Sequence, residues 1–169
     1  MAFTYRKIQS VTVSASTSAT IEFTSIPQTY TDLEIVFSLR SNRAEIVDNI
    51  NLRFNGTTTN HSARRLQGNG STTSSSTFAS NIYIETTASS ATVSTFGNGA
   101  IYIPNYTGSQ NKSVSSNAVT ENNATQARQN FDFGLWSNTA AITSIALNVL
   151  DGTGWLTNST AVLYGILQA

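Results

Sequence analysis

Residues 32–40 read Asp-Leu-Glu-Ile-Val-Phe-Ser-Leu-Arg, with Leu33, Ile35, Phe37 and Leu39 alternating against Asp32, Glu34, Ser38 and Arg40. The period of two returns at Ile50, Leu52 and Phe54, set against Asn51, Arg53 and Asn55. Successive side chains of a strand leave opposite faces of a sheet, so alternation this strict predicts half-buried strands. Asn55-Gly56 then supplies the two positive φ values of a type I′ turn. The chain is expected to fold straight back there, making residues 32–66 the core of an antiparallel sheet.

Shorter runs of the same kind fill the rest of the chain. They lie at Val11 and Val13, at Ile21 and Phe23, at 82–84, at 101–103, at 131–135, at 145–149 and at 160–167. Pro27 and Pro104 each close a run, because proline cannot donate to a ladder. Residues 67–76, rich in Gly, Ser, Thr and Asn, read as a mobile surface loop, and 105–125 as an edge strand or a long loop. The stretch 119–129 tolerates a helix but has no apolar stripe, and nowhere does a 3.6-residue period persist for three turns. Short strands at this spacing predict one all-β domain over 1–169, an antiparallel β-sandwich of jelly-roll type with 8–10 strands.

Charged residues are only 11% of the chain, against about 25% in an average soluble domain. Ser, Thr and Asn take their place, 65 in all, while the apolar residues remain periodic; such a chain folds. Nine basic residues balance nine acidic ones, which argues against nucleic acid or an anionic membrane as partner. With no cysteine there is no disulfide framework and no thiolate metal site, in keeping with a reducing cytoplasm. The N-terminal residues lack the apolar core of an export signal. The longest apolar run, 161–167, falls far short of the roughly 20 residues that span a bilayer.

Catalytic chemistry finds little to work with. His61 is the only histidine, and in His-Ser-Ala-Arg-Arg the neighbouring arginines disfavour its protonated form; a polar strand face is the expected setting. Asp32 and Glu34 share a face and are expected to pair across strands with Arg40 and Arg53. A polysaccharide hydrolase would need two opposed carboxylates, for which Glu34 and Asp132 are the candidates, but neither is placed by a motif. Asp151-Gly152-Thr153-Gly154 reads as a turn rather than a calcium loop. No enzyme activity, metal or cofactor is expected.

Contact is the better reading. Alternation places Tyr83, Tyr102, Trp136 and Trp155 off the main core face or in a turn, and Tyr and Trp are enriched where subunits meet. The closing run Ala-Val-Leu-Tyr-Gly-Ile-Leu is apolar on both faces, so Leu163 joins the candidate interface. Flat rings among Asn, Ser and Thr also suit a sugar, which is the alternative ligand.

Asn51-Leu52-Arg53-Phe54-Asn55-Gly56, followed by His61-Ser62 and Leu66-Gln67-Gly68-Asn69-Gly70, resembles a segment of bacteriophage virion proteins. Ile142-Thr143-Ser144-Ile145, Gly154-Trp155 and Leu163-Tyr164-Gly165-Ile166 resemble the C-terminal part of the same group, in the same order. His61 stands where a tyrosine is expected. The resemblance implies a non-enzymatic component of the virion, assembled in the host cytoplasm. The expected role is capsid decoration or cementing, as a homo-oligomer, plausibly a trimer, bound to the major capsid protein or another virion protein. The alternative is a tail-fibre or receptor-binding module that recognises host carbohydrate.

Overall fold

A computed structural model describes residues 3–15, 18–121 and 126–168. In chain order its strands are β1 (Phe3–Thr12), β2 (Thr20–Phe23), β3 (Asp32–Leu39), β4 (Val47–Phe54), β5 (His61–Gly68) and β6 (Thr73–Phe78). They continue as β7 (Ile82–Thr87), β8 (Gly97–Ile103), β9 (Lys112–Glu121), β10 (Ala127–Trp136), β11 (Ile145–Val149) and β12 (Thr160–Gln168). There is no helix among the described residues. Of the helix-tolerant stretch 119–129, both ends are strand, and 122–125 lie outside the described residues.

All strand pairs are antiparallel and form an eight-stranded sheet, β1-β12-β3-β8-β9-β10-β5-β6, and a four-stranded one, β2-β11-β4-β7. Set β5, β6, β9 and β10 aside, and eight strands remain in the orders β1-β12-β3-β8 and β2-β11-β4-β7. The first then pairs with the last and the second with the next to last, as in a long hairpin rolled into a barrel. That is a jelly roll. Two inserted hairpins, β5–β6 and β9–β10, extend the large sheet beyond β8.

The insertions explain why twelve strands form among the described residues where 8–10 are expected. β6 reads Thr-Ser-Ser-Ser-Thr-Phe, and β9 is polar but for its valines and one alanine, so neither shows an apolar alternation. The 67–76 stretch is therefore a hairpin rather than a loop, its turn tied by the Asn69 side chain, which accepts from the amides of Ser71 and Thr72.

The Asn55-Gly56 turn forms as expected, with φ of 51° and 66°, and Thr57 donates back to Phe54. The strands it joins are not partners, however. β4 lies between β11 and β7 in the small sheet, while β5 lies between β10 and β6 in the large one. A turn fixes a change of direction but not the sheet that receives the next strand. Asn55 holds this corner shut: its amide donates to Ala141 O, and its Oδ1 accepts from the amides of Thr143 and Ser144.

Between the sheets, Leu33, Ile35, Ile101 and Leu163 pack against Ile50, Leu52, Ile21 and Ile145, all of them buried. Gly165 of β12 is set by the same packing. A Cβ there would stand 2.3 Å from the ring of Tyr30, which lies over the strand. We expect Gly165→Ala to cost about 2–3 kcal/mol in chemical denaturation, because the ring must move for a single methyl group; a loss under about 0.5 kcal/mol would refute this account of the glycine.

Candidate interaction face

The inserted strands run out of phase with their hydrophobicity. In β10 the apolar Phe131, Phe133 and Leu135 point to solvent, while Asn130, Asp132, Gly134 and Trp136 point inward. Phe133 is 52% exposed and Asp132 is 1% exposed. In β5, Arg65 is buried whereas Leu66 is 50% exposed. The cause lies under these strands. β7 is an edge strand of the small sheet, and the large sheet curls around it. Ile82 and Ile84 pack in the apolar core, but Glu85, Tyr83 and the strand's outer carbonyls meet the overhang. Arg65 donates to Tyr83 O at 3.2 Å, and Phe78 of β6 packs edge-on against the Tyr83 ring. A polar edge beneath draws polar side chains inward. The alternate, apolar set is left outside.

What lies inside is a charge cluster. Glu85 accepts from Arg128, Thr120 and Asn130 at 3.0 Å each, from Gln67 at 3.1 Å and from Arg65 at 3.5 Å. Arg65 Nε also donates to Asp132 at 2.7 Å and its Nη2 to Asn49 at 3.0 Å. Burial raises the Asp132 carboxyl to about 6 against the pull of Arg65, with the Glu85 charge adding to the rise. His61, at the other end of β5, lies in the core rather than on a polar face, between Phe54 and Trp136. Burial lowers its pKa to about 4, and the charge that assists is Arg53 rather than the adjacent Arg64 and Arg65.

These two groups oppose each other. Between about pH 4 and about 6 the folded state holds the Asp132 proton that the unfolded chain releases, so this term loses stability as pH rises. Between about pH 4 and 6.5 the unfolded chain protonates His61 while the folded state does not, so that term gains stability as pH rises. We expect Asp132→Asn to leave a stability that climbs with pH across this window, and His61→Phe one that falls, each with a slope approaching about 1.4 kcal/mol per pH unit. Urea midpoints measured across the range check it; slopes of the same sign in both variants would be wrong for this arrangement.

The outward side chains form aligned rows, because the ladder register brings them level. One row runs Tyr164, Glu34, Tyr102, Ser115, Phe133, Arg64 across β12, β3, β8, β9, β10 and β5. The next runs Val36, Ala100, Asn117, Phe131, Leu66. Val36, Tyr102, Phe131, Phe133 and Leu66 are all exposed, apolar groups set on either side of the polar Ser115 and Asn117 of β9. So much exposed apolar surface on one face marks an interaction site. Tyr102 is fixed in place: its hydroxyl donates to Asp32 at 2.8 Å, and burial with this hydrogen bond raises its pKa to about 12. Tyr5 stacks edge-on against Tyr164 and extends the aromatic surface toward β1.

Of the interface candidates read from the sequence, only Tyr102 belongs to this face. Trp136, Trp155 and Leu163 are wholly buried in the chain's own core and present nothing to a partner. Trp136 follows the inward phase of β10 onto Phe54, and Trp155 donates its indole N–H to Leu147 O at 3.2 Å. Tyr83 is half-buried under Phe78. The closing strand has Ala161 and Leu163 inside, with Val162 and Tyr164 on the outer face. The expected ion pairs of Asp32 and Glu34 with Arg40 and Arg53 do not form. Asp32 takes Tyr102 and the Asn105 amide, Arg40 turns into the 88–96 loop, and Arg53 bonds Asn81 in the other sheet.

Glu34 and Asp132 leave opposite faces of the large sheet, so these two acids cannot flank one sugar bond. Asp151 lies in a turn whose amides are held by Asp48 and Asn42, and it pairs with Arg43 at 3.0 Å. Among the described residues no three His, Asp or Glu side chains converge on a point that could hold a metal ion. Comparison with protein-family models, with curated proteins and with solved structures finds no match.

Proposed function

We propose that this chain is a non-enzymatic structural protein of a bacteriophage virion, a decoration or cement protein that works by protein–protein contact, with the outer face of its large sheet as a contact surface. One observation carries the reading: β10 buries Asn130 and Asp132 and leaves Phe131, Phe133 and Leu135 outside. A strand that buries its charges and exposes its rings has its apolar face directed at a neighbour. Between and beside those rings β9 presents Ser113, Ser115 and Asn117 and β6 is almost wholly Ser and Thr, which cost less to desolvate than Lys or Glu would. The likeness of the 51–70 and 142–166 segments to phage virion proteins supplies the setting.

The purified chain is expected to co-sediment with expanded phage capsids and to lose that binding on Phe133→Ser with Leu66→Ser. Failure to bind capsids of any assembly state would overturn the proposal. A second reading has one observation in its favour. Tyr164, Tyr102 and Phe133 stand on every second strand of one row, about 10 Å apart, with Glu34 and Ser115 between them. Rings at that repeat suit the alternate sugars of an extended glycan, as a receptor-binding module would require. Binding to host cells in place of capsids would select it.

A further inference from the structure

We infer that the occupant of this face is a second copy of the same chain, docked about a two-fold axis that runs along β9. The inference rests on the outer face being a contact surface and adds what covers it. A two-fold along β9 carries β8 onto the partner's β10 and β3 onto the partner's β5, and it leaves the height along the strands unchanged.

The rows then meet themselves in reverse. Glu34 comes opposite the second copy's Arg64, and Tyr102 comes opposite its Phe133. In the adjacent row Val36 faces Leu66, and the small Ala100 faces the large Phe131. Acid meets base, ring meets ring, and small meets large. Each match occurs twice by symmetry.

Residues on the axis meet their own copies, so a charge there would repel itself. The outward residues of β9 are Ser113, Ser115, Asn117, Val119 and Glu121; the first four are uncharged, and the Glu121 carboxylate at the strand's end is taken up by the amide and hydroxyl of Thr92. The alternative axis, across the strands, would set Glu34 against Glu34 and Arg64 against Arg64. A two-fold along a strand also suits a twisted sheet. It maps the twist of one sheet onto an identical twist, so the strands near the axis stay aligned, while the curl of the sheet around β7 makes the contact deepest at β8, β9 and β10. An overlap from β12 to β6, seven strands at about 4.8 Å and about six residues at 3.3 Å, sets an upper bound on the order of 700 Å² per copy, because the curl turns the outer strands away. That approaches the roughly 800 Å² per partner of a standard interface.

The test is a charge swap read by sedimentation equilibrium on the full chain. The unaltered protein is expected to be a dimer. Glu34→Arg alone and Arg64→Glu alone each place two like-charge pairs in the interface and should weaken it by about a hundredfold or more. Mixing the two variants should restore a mixed dimer, and so should both substitutions in one chain. Circular dichroism and a thermal melt of each variant show that it is folded, and Phe133→Ser should give a folded monomer that no charge swap rescues.

A monomer at every concentration overturns the inference, as does a dimer indifferent to both charge reversals. A monomer that binds capsids keeps the virion reading and removes the two-fold. A dimer with swap rescue that binds no capsid does the reverse. A monomer retained on immobilised polysaccharide gives the face to a glycan and removes the second copy.

Discussion

Glu85→Ala is expected to destabilise the fold by about 3–5 kcal/mol, because it removes the acceptor shared by five buried or half-buried donors. Arg65 would keep Asp132, but Arg128, Asn130 and Thr120 would each lose the bond that justifies their burial. A buried pair broken from one side costs more than the pair contributes, since the remaining charge has lost its water as well as its partner. In a chain of 169 residues the loss corresponds to a melting temperature lower by roughly 10–15 °C. Glu85→Gln should cost less, because a carbonyl oxygen still accepts from Thr120 or Asn130. Glu22→Ala, at an exposed site on β2, should change stability by no more than about 0.5 kcal/mol. If Glu85→Ala matched that control, the cluster would be incidental to the fold. The overhang of β5, β6, β9 and β10 would then need another explanation.

Little in the sequence points to Glu85. It follows Ile-Tyr-Ile, where alternation places it on the wet side of a strand, and in a sandwich of two four-stranded sheets that reading would hold. The insertions change it by wrapping the large sheet around β7. The same wrapping reverses the reading of β10. Its period of two was legible in Phe131, Phe133 and Leu135, but a period says only that two faces differ. Which face is buried depends on what lies beneath, and here that is the Glu85–Arg65 cluster under Asn130 and Asp132, with Ile82 under Gly134 and Phe54 under Trp136. Trp136 was misplaced for this reason, since it shares the inward phase with Asn130 and Asp132.

The jelly-roll body was legible because β3, β4, β11 and β12 carry dense apolar alternation and the turns between runs are short. β6 was not, since a Ser-Thr strand earns its place by pairing with β5 and hides almost nothing. Asn55-Gly56 announced a turn correctly, yet the partner of β4 was settled by long-range pairing with β11 and β7. Tyr102 alone of the candidate aromatics stands on the outer face of the large sheet. It sits in Ile-Tyr-Ile on a strand of the main body, where what lies beneath is the ordinary core.

Arg40 makes the second large effect. It follows β3 directly and is 5% exposed. Its guanidinium donates to four backbone carbonyls of one loop: Ser89, Ala91, Thr92 and Thr95, at 3.0, 2.9, 2.9 and 3.3 Å. Among the described residues it makes no ion pair, so its charge is held by peptide dipoles alone. The forked shape of the side chain is what lets one residue bind four carbonyls, two from each terminal nitrogen. Without it the 88–96 loop keeps its short turns, the bonds of Ala88, Ser89 and Ser90 to the 43–46 turn, and the bonds from Thr92 to Glu121. Arg40→Met preserves the stem and removes every donor. It is expected to cost about 3–4 kcal/mol, less than the sum of four charged hydrogen bonds because the carbonyls of Ser89 and Thr92 can turn to water. Arg40→Lys should recover only part of that loss, since an ammonium reaches fewer of the four at once. Hydrogen exchange would separate the loop from the rest. In Arg40→Met the amides of Ala91 and Thr95 should exchange at a local rate, well before those of Ile50 and Leu52, and protease should cut near the exposed Val93 while the sandwich remains folded. Uniform exchange with global unfolding, or a variant within about 1 kcal/mol of the parent, would show that the loop is held by something other than Arg40.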